Sequence, residues 1–178
     1  MKKLLLILLF LPILILSQNT FIPDDNFENY LETHDENGVT VTLGDPNSMG
    51  DGIASNDSVF TTNINGVTTL DLSGIANAGL GISDLTGIED FTALTDLNCR
   101  NNSLDSLDLS QNTALEDLKC QNNSLDSLDL STNTALTFLS CSHNPIMSLD
   151  VSHNTLLTNL NCDENQLTTL DVTKNIVL

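Results

Sequence analysis

Four cysteines recur at a constant spacing of 21 residues: Cys99, Cys120, Cys141 and Cys162. Thiols can cross-link, hold a metal or attack an electrophile, and the spacing discriminates among these. Zinc sites pair their ligands a few residues apart, and no CxxC pair exists in this chain. A nucleophilic thiol or hydroxyl needs a neighbouring base, yet none of His34, His143 and His153 falls with a Ser or Cys in a nucleophile motif. Acids form a second set: Asp71, Asp108, Asp129, Asp150 and Asp171. Paired carboxylates cleave glycosides, but a column explained by a repeat says little about pairing. Neither GxGxxG nor GxxxxGK occurs, so nucleotide chemistry has no footing. These residues point to no catalytic site, metal centre or cofactor, and the chain reads as a non-enzyme.

The same period governs everything around them. Leu94, Leu115, Leu136 and Leu157 open four units, with Leu178 starting a fifth. Each unit continues with Leu97, Leu118, Leu139 or Leu160, then the Cys, then Asn102, Asn123, Asn144 or Asn165. Next come an aliphatic at 104, 125, 146 or 167, then Leu107, Leu128, Leu149 or Leu170, and the Asp flanked by Leu or Val. Each unit closes on Asn112, Asn133, Asn154 or Asn175. Self-similarity at such a period marks a solenoid. Leu97-Asn98-Cys99 and Leu107-Asp108-Leu109 alternate with period two, which sends the outer pair of side chains to one face. If both triplets point inward, each unit is one turn with a short strand on either side, stacked in parallel roughly 4.8 Å from the next. Each inward Asn amide is expected to bond its own turn and the Asn of the next turn, because buried backbone groups need partners.

This pattern resembles the leucine-rich repeat, and more closely a bacterial subtype written LxxLxLxxNxLxxLDLxxN, with Cys uniformly in place of the third Leu. The resemblance spans 94–178 closely and 67–93 loosely. It implies a β-rich solenoid, a right-handed superhelix with short parallel strands, preceded by a small helical N-terminal cap. It also implies that the outward ladder paves a concave face that binds partners. That ladder reads Asp96, Asn98, Arg100; Asp117, Lys119, Gln121; Phe138, Ser140, Ser142; Asn159, Asn161, Asp163. These positions vary while the frame does not. An exposed Phe138 is the expected anchor.

Inside such a coil the four Cys form one column. Their Cα atoms would lie within disulfide range, but parallel Cβ vectors hold the Cβ atoms about 4.8 Å apart, beyond the usual disulfide separation. Free thiols are expected. The Asp column, taken to include Asp71, faces outward, where like charges repel. Ser and Thr hydroxyls, backbone amides or a bound Ca²⁺ are the candidate offsets. Asp45-Pro46-Asn47-Ser48-Met49-Gly50 begins as a calcium loop does, but Met49 takes a ligand position and no Glu closes it.

Met1-Lys2-Lys3, the apolar run Leu4–Leu16 and Ser17 have the form of a secretory signal peptide over 1–17. The run is shorter than the roughly 20 residues of a membrane span; an uncleaved anchor is the alternative. Removing it leaves three cations against 24 acids, a net charge of −21. Nucleic acid and anionic membrane are poor partners for such a chain. With no Trp and 4 % aromatic residues, it offers no sugar-stacking platform. Phe27, Tyr30 and Leu31 behind Asp24-Asp25 predict a helix at about 24–34, and 35–58 reads as loop. This block, 18–66, is expected to cap the coil. IPDDNFENYL followed by GDGIASNDSV resembles the start of secreted leucine-rich-repeat proteins that carry a type IX secretion signal. From 67 to 93 the first repeat is irregular: Leu70 to Leu97 spans 27 residues, and Ile82, Leu85, Ile88, Phe91 and Leu94 fall at threes, as in a 3₁₀ back wall. That part resembles the internalin-like repeat class. Ile176-Val177-Leu178 would be unshielded, so the chain is expected to be truncated at its C-terminus.

The reading is therefore a secreted or cell-surface protein that binds a protein or other surface macromolecule, with no integral span after signal cleavage. A structural spacer, or the repeat domain of an enzyme lying beyond residue 178, is the alternative.

Overall fold

A computed structural model describes residues 18–74 and 79–178. The expected signal peptide, 1–17, lies outside the described residues, as do residues 75–78 of the irregular first repeat. Within the rest, the period of 21 becomes five stacked turns. Each contributes a three-residue strand to one parallel sheet: β3 (Thr69–Asp71), β4 (Asp96–Asn98), β5 (Asp117–Lys119), β6 (Phe138–Ser140) and β7 (Asn159–Asn161), in that order. Leu70, Leu97, Leu118, Leu139 and Leu160 occupy equivalent rungs. The Cys amides prolong the ladder, with Cys99 N donating to Lys119 O at 2.8 Å and Cys120 N to Ser140 O at 2.9 Å. The register is fixed because a slip of one residue would turn every inward Leu into water.

The other flank differs from expectation: no strand forms at 107–109 or its equivalents. Local bonds consume the groups that a second ladder would need. Asp108 Oδ1 accepts the Ser110 amide at 2.9 Å. The Leu109 carbonyl receives the Asn112 amide and the Asn133 side chain, both at 3.0 Å. Asp71 also moves. It pairs with Asn98 on the sheet, not with Asp108 in the acidic column, because a Leu-Asp-Leu triplet reads the same on either flank of a turn. Ile82, Leu85, Ile88, Phe91 and Leu94 are all buried, around a 3₁₀ turn at Ile88–Asp90.

Two asparagine columns close the backbone account. Asn123 Nδ2 donates to Cys99 O of the preceding turn and Cys120 O of its own, while its Oδ1 accepts the Leu104 amide at 3.1 Å. Asn102, Asn144 and Asn165 repeat this pattern. The neighbour supplies backbone, and not its own Asn side chain as expected, since carbonyls at a sharp turn are the groups left unpaired. In the second column Asn133 Nδ2 bridges Leu109 O and Asn112 O at 3.0 and 2.9 Å, and Asn112, Asn154 and Asn175 do likewise. Asn101, Asn122, His143 and Glu164, each just before the first column, take left-handed φ values of 53–58°.

The N-terminal block holds more structure than its composition suggests. β1 (Asn19–Phe21) pairs antiparallel with β2 (Ser58–Phe60), which leads into α2 (Thr61–Ile64). α1 (Asp25–Thr33) falls where the apolar stripe places it and buries Phe27, Tyr30 and Leu31, with the Phe27 and Phe91 rings stacked at 6.2 Å. Two buried acids of α1 bind the loop. Glu32 accepts the Asp51 and Gly52 amides, and Glu28 those of Asn56 and Asp57. Gly87, at φ 100°, lies against Ile22 and the Phe21 carbonyl, where a Cβ would collide. Asp24 joins block to coil: Oδ1 caps α1 through Asn26 N and Phe27 N, both at 3.0 Å, and Oδ2 accepts Ser83 N, Ser83 Oγ and Asp84 N. Burial works to raise its pKa, but these donors outweigh it and hold the carboxyl below its ordinary value.

Two substitutions test this frame in urea. Asn133→Ala strips the side-chain donor from Leu109 O and Asn112 O and is expected to cost roughly 2–3 kcal/mol; an unchanged midpoint would show that the column is dispensable. Asp24→Ala removes the cap and the tie to Ser83 together, for an expected loss of about 3 kcal/mol. The Asp24 contribution is complete above the ordinary carboxyl pKa and disappears as pH falls through the lower folded value. The gap between the two proteins should therefore narrow in acid.

Candidate functional site

The ladder of varied residues is real in space. Asp96, Asp117, Phe138 and Asn159 are consecutive partners across the sheet, as are Asn98, Lys119, Ser140 and Asn161. Arg100, Gln121, Ser142 and Asp163 prolong it, joined by amide bonds such as Asn101 N to Gln121 O at 3.0 Å. At the centre, Lys119 Nζ lies 2.8 Å from Asp117 Oδ1 and 5.1 Å from the Phe138 ring centroid. A cation over an aromatic face adds attraction to an ion pair that alone contributes little at a surface.

Some of the expected ladder residues are placed differently. Phe138 is half-buried rather than exposed, because the Lys119 ammonium covers its ring. Ser140 and Ser142 are each only 6 % exposed; their short side chains sit below the longer neighbours and present almost no surface. Asp96, Asn98, Arg100 and Gln121 are half-buried, while Asn159, Asn161 and Asp163 are exposed. Asn98 Oδ1, Arg100 Nε and Gln121 Oε1 are buried with no hydrogen-bond partner among the described residues.

Behind the sheet, the cysteines form the expected inward column of free thiols: Cys99, Cys120 and Cys141 buried, Cys162 half-buried. Loss of water pushes the Cys99 and Cys141 pKa values up to about 12, and Cys120, flanked by both, also rises well above the ordinary thiol. Such thiols neither attack nor bind metal at neutral pH. Ser152 Oγ and His153 Nδ1 approach to 3.4 Å, but the contact is long and in water, and no described group orients the second ring nitrogen. Asp45 Oδ1 is taken by the amide and side chain of Asn47, an internal turn rather than a cation cradle. Asp25, Glu28 and Asp57 bring carboxylate oxygens within 4.8 Å of one another, with the Glu28 oxygens already engaged by amides.

A feature that the sequence reading did not find lies on the flank carrying the acidic column. A hollow of about 970 Å³ runs across four turns, floored by Leu85, Ile88, Leu107 and Leu128 and walled by Asp108, Asp129 and Asp150. None of the twelve ladder residues lines it. Its walls are uniform from turn to turn, so in the sequence they are indistinguishable from frame. Backbone amides, with serine hydroxyls helping, hold the Asp108, Asp129 and Asp150 carboxyls below the ordinary pKa. The stacked charges therefore remain ionised.

The architecture matches solved proteins. The functional domain of InlJ from Listeria monocytogenes, described as including a cysteine ladder, superposes with a TM-score of 0.71 at 37 % identity, over 91 % of this chain and 32 % of that one. The internalin InlF from Listeria monocytogenes gives a TM-score of 0.60 at 24 % identity, over 65 % and 34 %. The fold is a leucine-rich repeat. A leucine-rich-repeat protein of Leptospira interrogans shares that fold, with a TM-score of 0.51 at 21 % identity over 62 % and 29 %. The chain spans about a third of the length of these leucine-rich-repeat structures. No protein-family model and no curated protein matches it. No helix among the described residues is long and apolar enough to cross a membrane.

The thiol column yields a direct measurement. In native protein at about pH 8, one thiol, Cys162, is expected to react with an aromatic disulfide reagent, and all four in guanidinium. Four equally fast native thiols would contradict the buried column.

Proposed function

We propose that this chain is a secreted or cell-surface binding module that engages a protein partner through the outward face of its parallel sheet. Export through a type IX route fits the opening IPDDNFENYL and GDGIASNDSV blocks, and residues 1–17 serve as its signal peptide. Residues 18–66 act as a cap over the first turn and 67–178 as the recognition array. The observation that carries the reading is the contrast across one sheet. Inward positions repeat from turn to turn, while the rungs facing away change from Asp to Phe to Asn and from Asn to Lys to Ser. A rigid frame with varied, pre-positioned side chains binds at low entropic cost.

Asp117, Lys119 and Phe138 form the centre of the face, where an aromatic beside opposite charges suits a protein hot spot. Asn98 Oδ1, Arg100 Nε and Gln121 Oε1 are polar atoms that a partner could satisfy. The role is recognition, without bond-making chemistry in this segment.

The test captures partners from surface extracts of host or neighbouring cells on immobilised wild-type protein and follows the same bands on variants. Phe138→Asp and Lys119→Glu are expected to lower recovery at least about tenfold, with circular dichroism unchanged. Equal recovery by both variants would remove this face as the binding site.

A further inference from the structure

The hollow on the opposite flank has a character of its own. Asp84, Glu89, Asp108, Asp129 and Asp150 line it, and no Lys or Arg does. The only Lys and Arg among the described residues are Arg100, Lys119 and Lys174, so nothing in the hollow neutralises its acids. Its floor is apolar, from Leu85, Ile88, Leu107 and Leu128. Four turns line it, roughly 14 Å along the stack, room for about four residues of extended chain. We propose that this groove docks an extended, lysine- or arginine-bearing segment of a partner polypeptide, as a second contact surface independent of the sheet face.

Charge complementarity selects the partner. A column of carboxylates above an apolar floor matches side chains with an apolar stem and a cationic head, which lay the stem on leucine and carry the charge to the rim. The charge is held in place, because Asp108, Asp129 and Asp150 each accept the amide two residues on at 2.8–2.9 Å. A carboxylate has acceptor sites to spare beyond that bond. A bare divalent ion fits less well. Calcium gathers six or more oxygens at about 2.4 Å, whereas this column offers one carboxylate per turn, about 4.8 Å apart. Nucleic acid is repelled by the same field.

Fluorescence anisotropy with a labelled Lys-Val-Lys-Val-Lys-Val peptide tests the groove on the whole chain. The triple variant Asp108→Asn, Asp129→Asn, Asp150→Asn retains an oxygen for each turn amide, so the fold should persist. A control, Asp105→Asn, Glu116→Gln, Asp126→Asn, removes equal charge from exposed positions outside the hollow. The groove variant is expected to bind about tenfold more weakly and the control less than about twofold. Equal losses would mean diffuse attraction to an acidic protein and would overturn the proposal, as would no binding by the wild type. Displacement of the peptide by micromolar Ca²⁺ would replace it with a cation site. Phe138→Asp should leave the peptide affinity unchanged, so failure at one surface is distinguishable from failure at the other. Should the triple variant unfold, Asp129→Asn alone against Asp126→Asn gives the same comparison.

Discussion

A coil of 21 residues must turn sharply within each unit, and every turn strands amides and carbonyls away from water. The two asparagine columns answer that constraint, and the rest of the molecule depends on them. Each first-column amide group accepts from one turn's backbone and donates to another's, using both ends of the side chain. No apolar residue can do this, and Gln would carry the group one carbon too far. Once the turns are satisfied, short strands suffice, because three residues per rung need only supply register. The leucines then bury a continuous core that no single turn could close. Cys, smaller than Leu, fills the rung beside the asparagine turn, where a thiol packs as a small hydrophobe.

The frame was legible because it repeats. Leu97, Cys99 and Asn102 with their equivalents fall on adjacent rungs, and the helix expected at about 24–34 forms at 25–33. What the sequence concealed follows from symmetry or distance. Leu-Asp-Leu at 70–72 and at 107–109 is one pattern serving two flanks, so alternation could not say that Asp71 belongs to the sheet and Asp108 to a turn. The second strand was equally ambiguous, since period-two alternation does not reveal that Asp108 and Asn133 take up the local backbone. Glu28 and Glu32 read as acids of an amphipathic helix, yet they are buried to bind loop amides some twenty to thirty residues on. That pairing has no local signature.

The candidate site was legible in position and less so in exposure. Variation marks which rungs look outward, and the sheet confirms those rungs. It cannot mark depth, which depends on the neighbour: Ser140 is hidden below side chains one turn away, and Phe138 lies under Lys119. The acidic groove inverts the problem. Its residues are conspicuous by repetition, and repetition alone is what a scaffold also produces. The two flanks thus divide the surface, one varied and mixed in charge, the other regular and uniformly acidic.

Every side-chain bridge of the second asparagine column reaches to the preceding turn: Asn133 to Leu109 and Asn112, Asn154 to Leu130 and Asn133. A unit thus arrives with the donors its predecessor lacks and leaves behind the acceptors its successor will use. Duplicating or deleting one whole unit within the regular array therefore creates no orphaned group, whereas an insertion of any other length does. Gene duplication can lengthen or shorten such an array in steps of 21 codons, altering how far recognition extends while the junction chemistry stays the same.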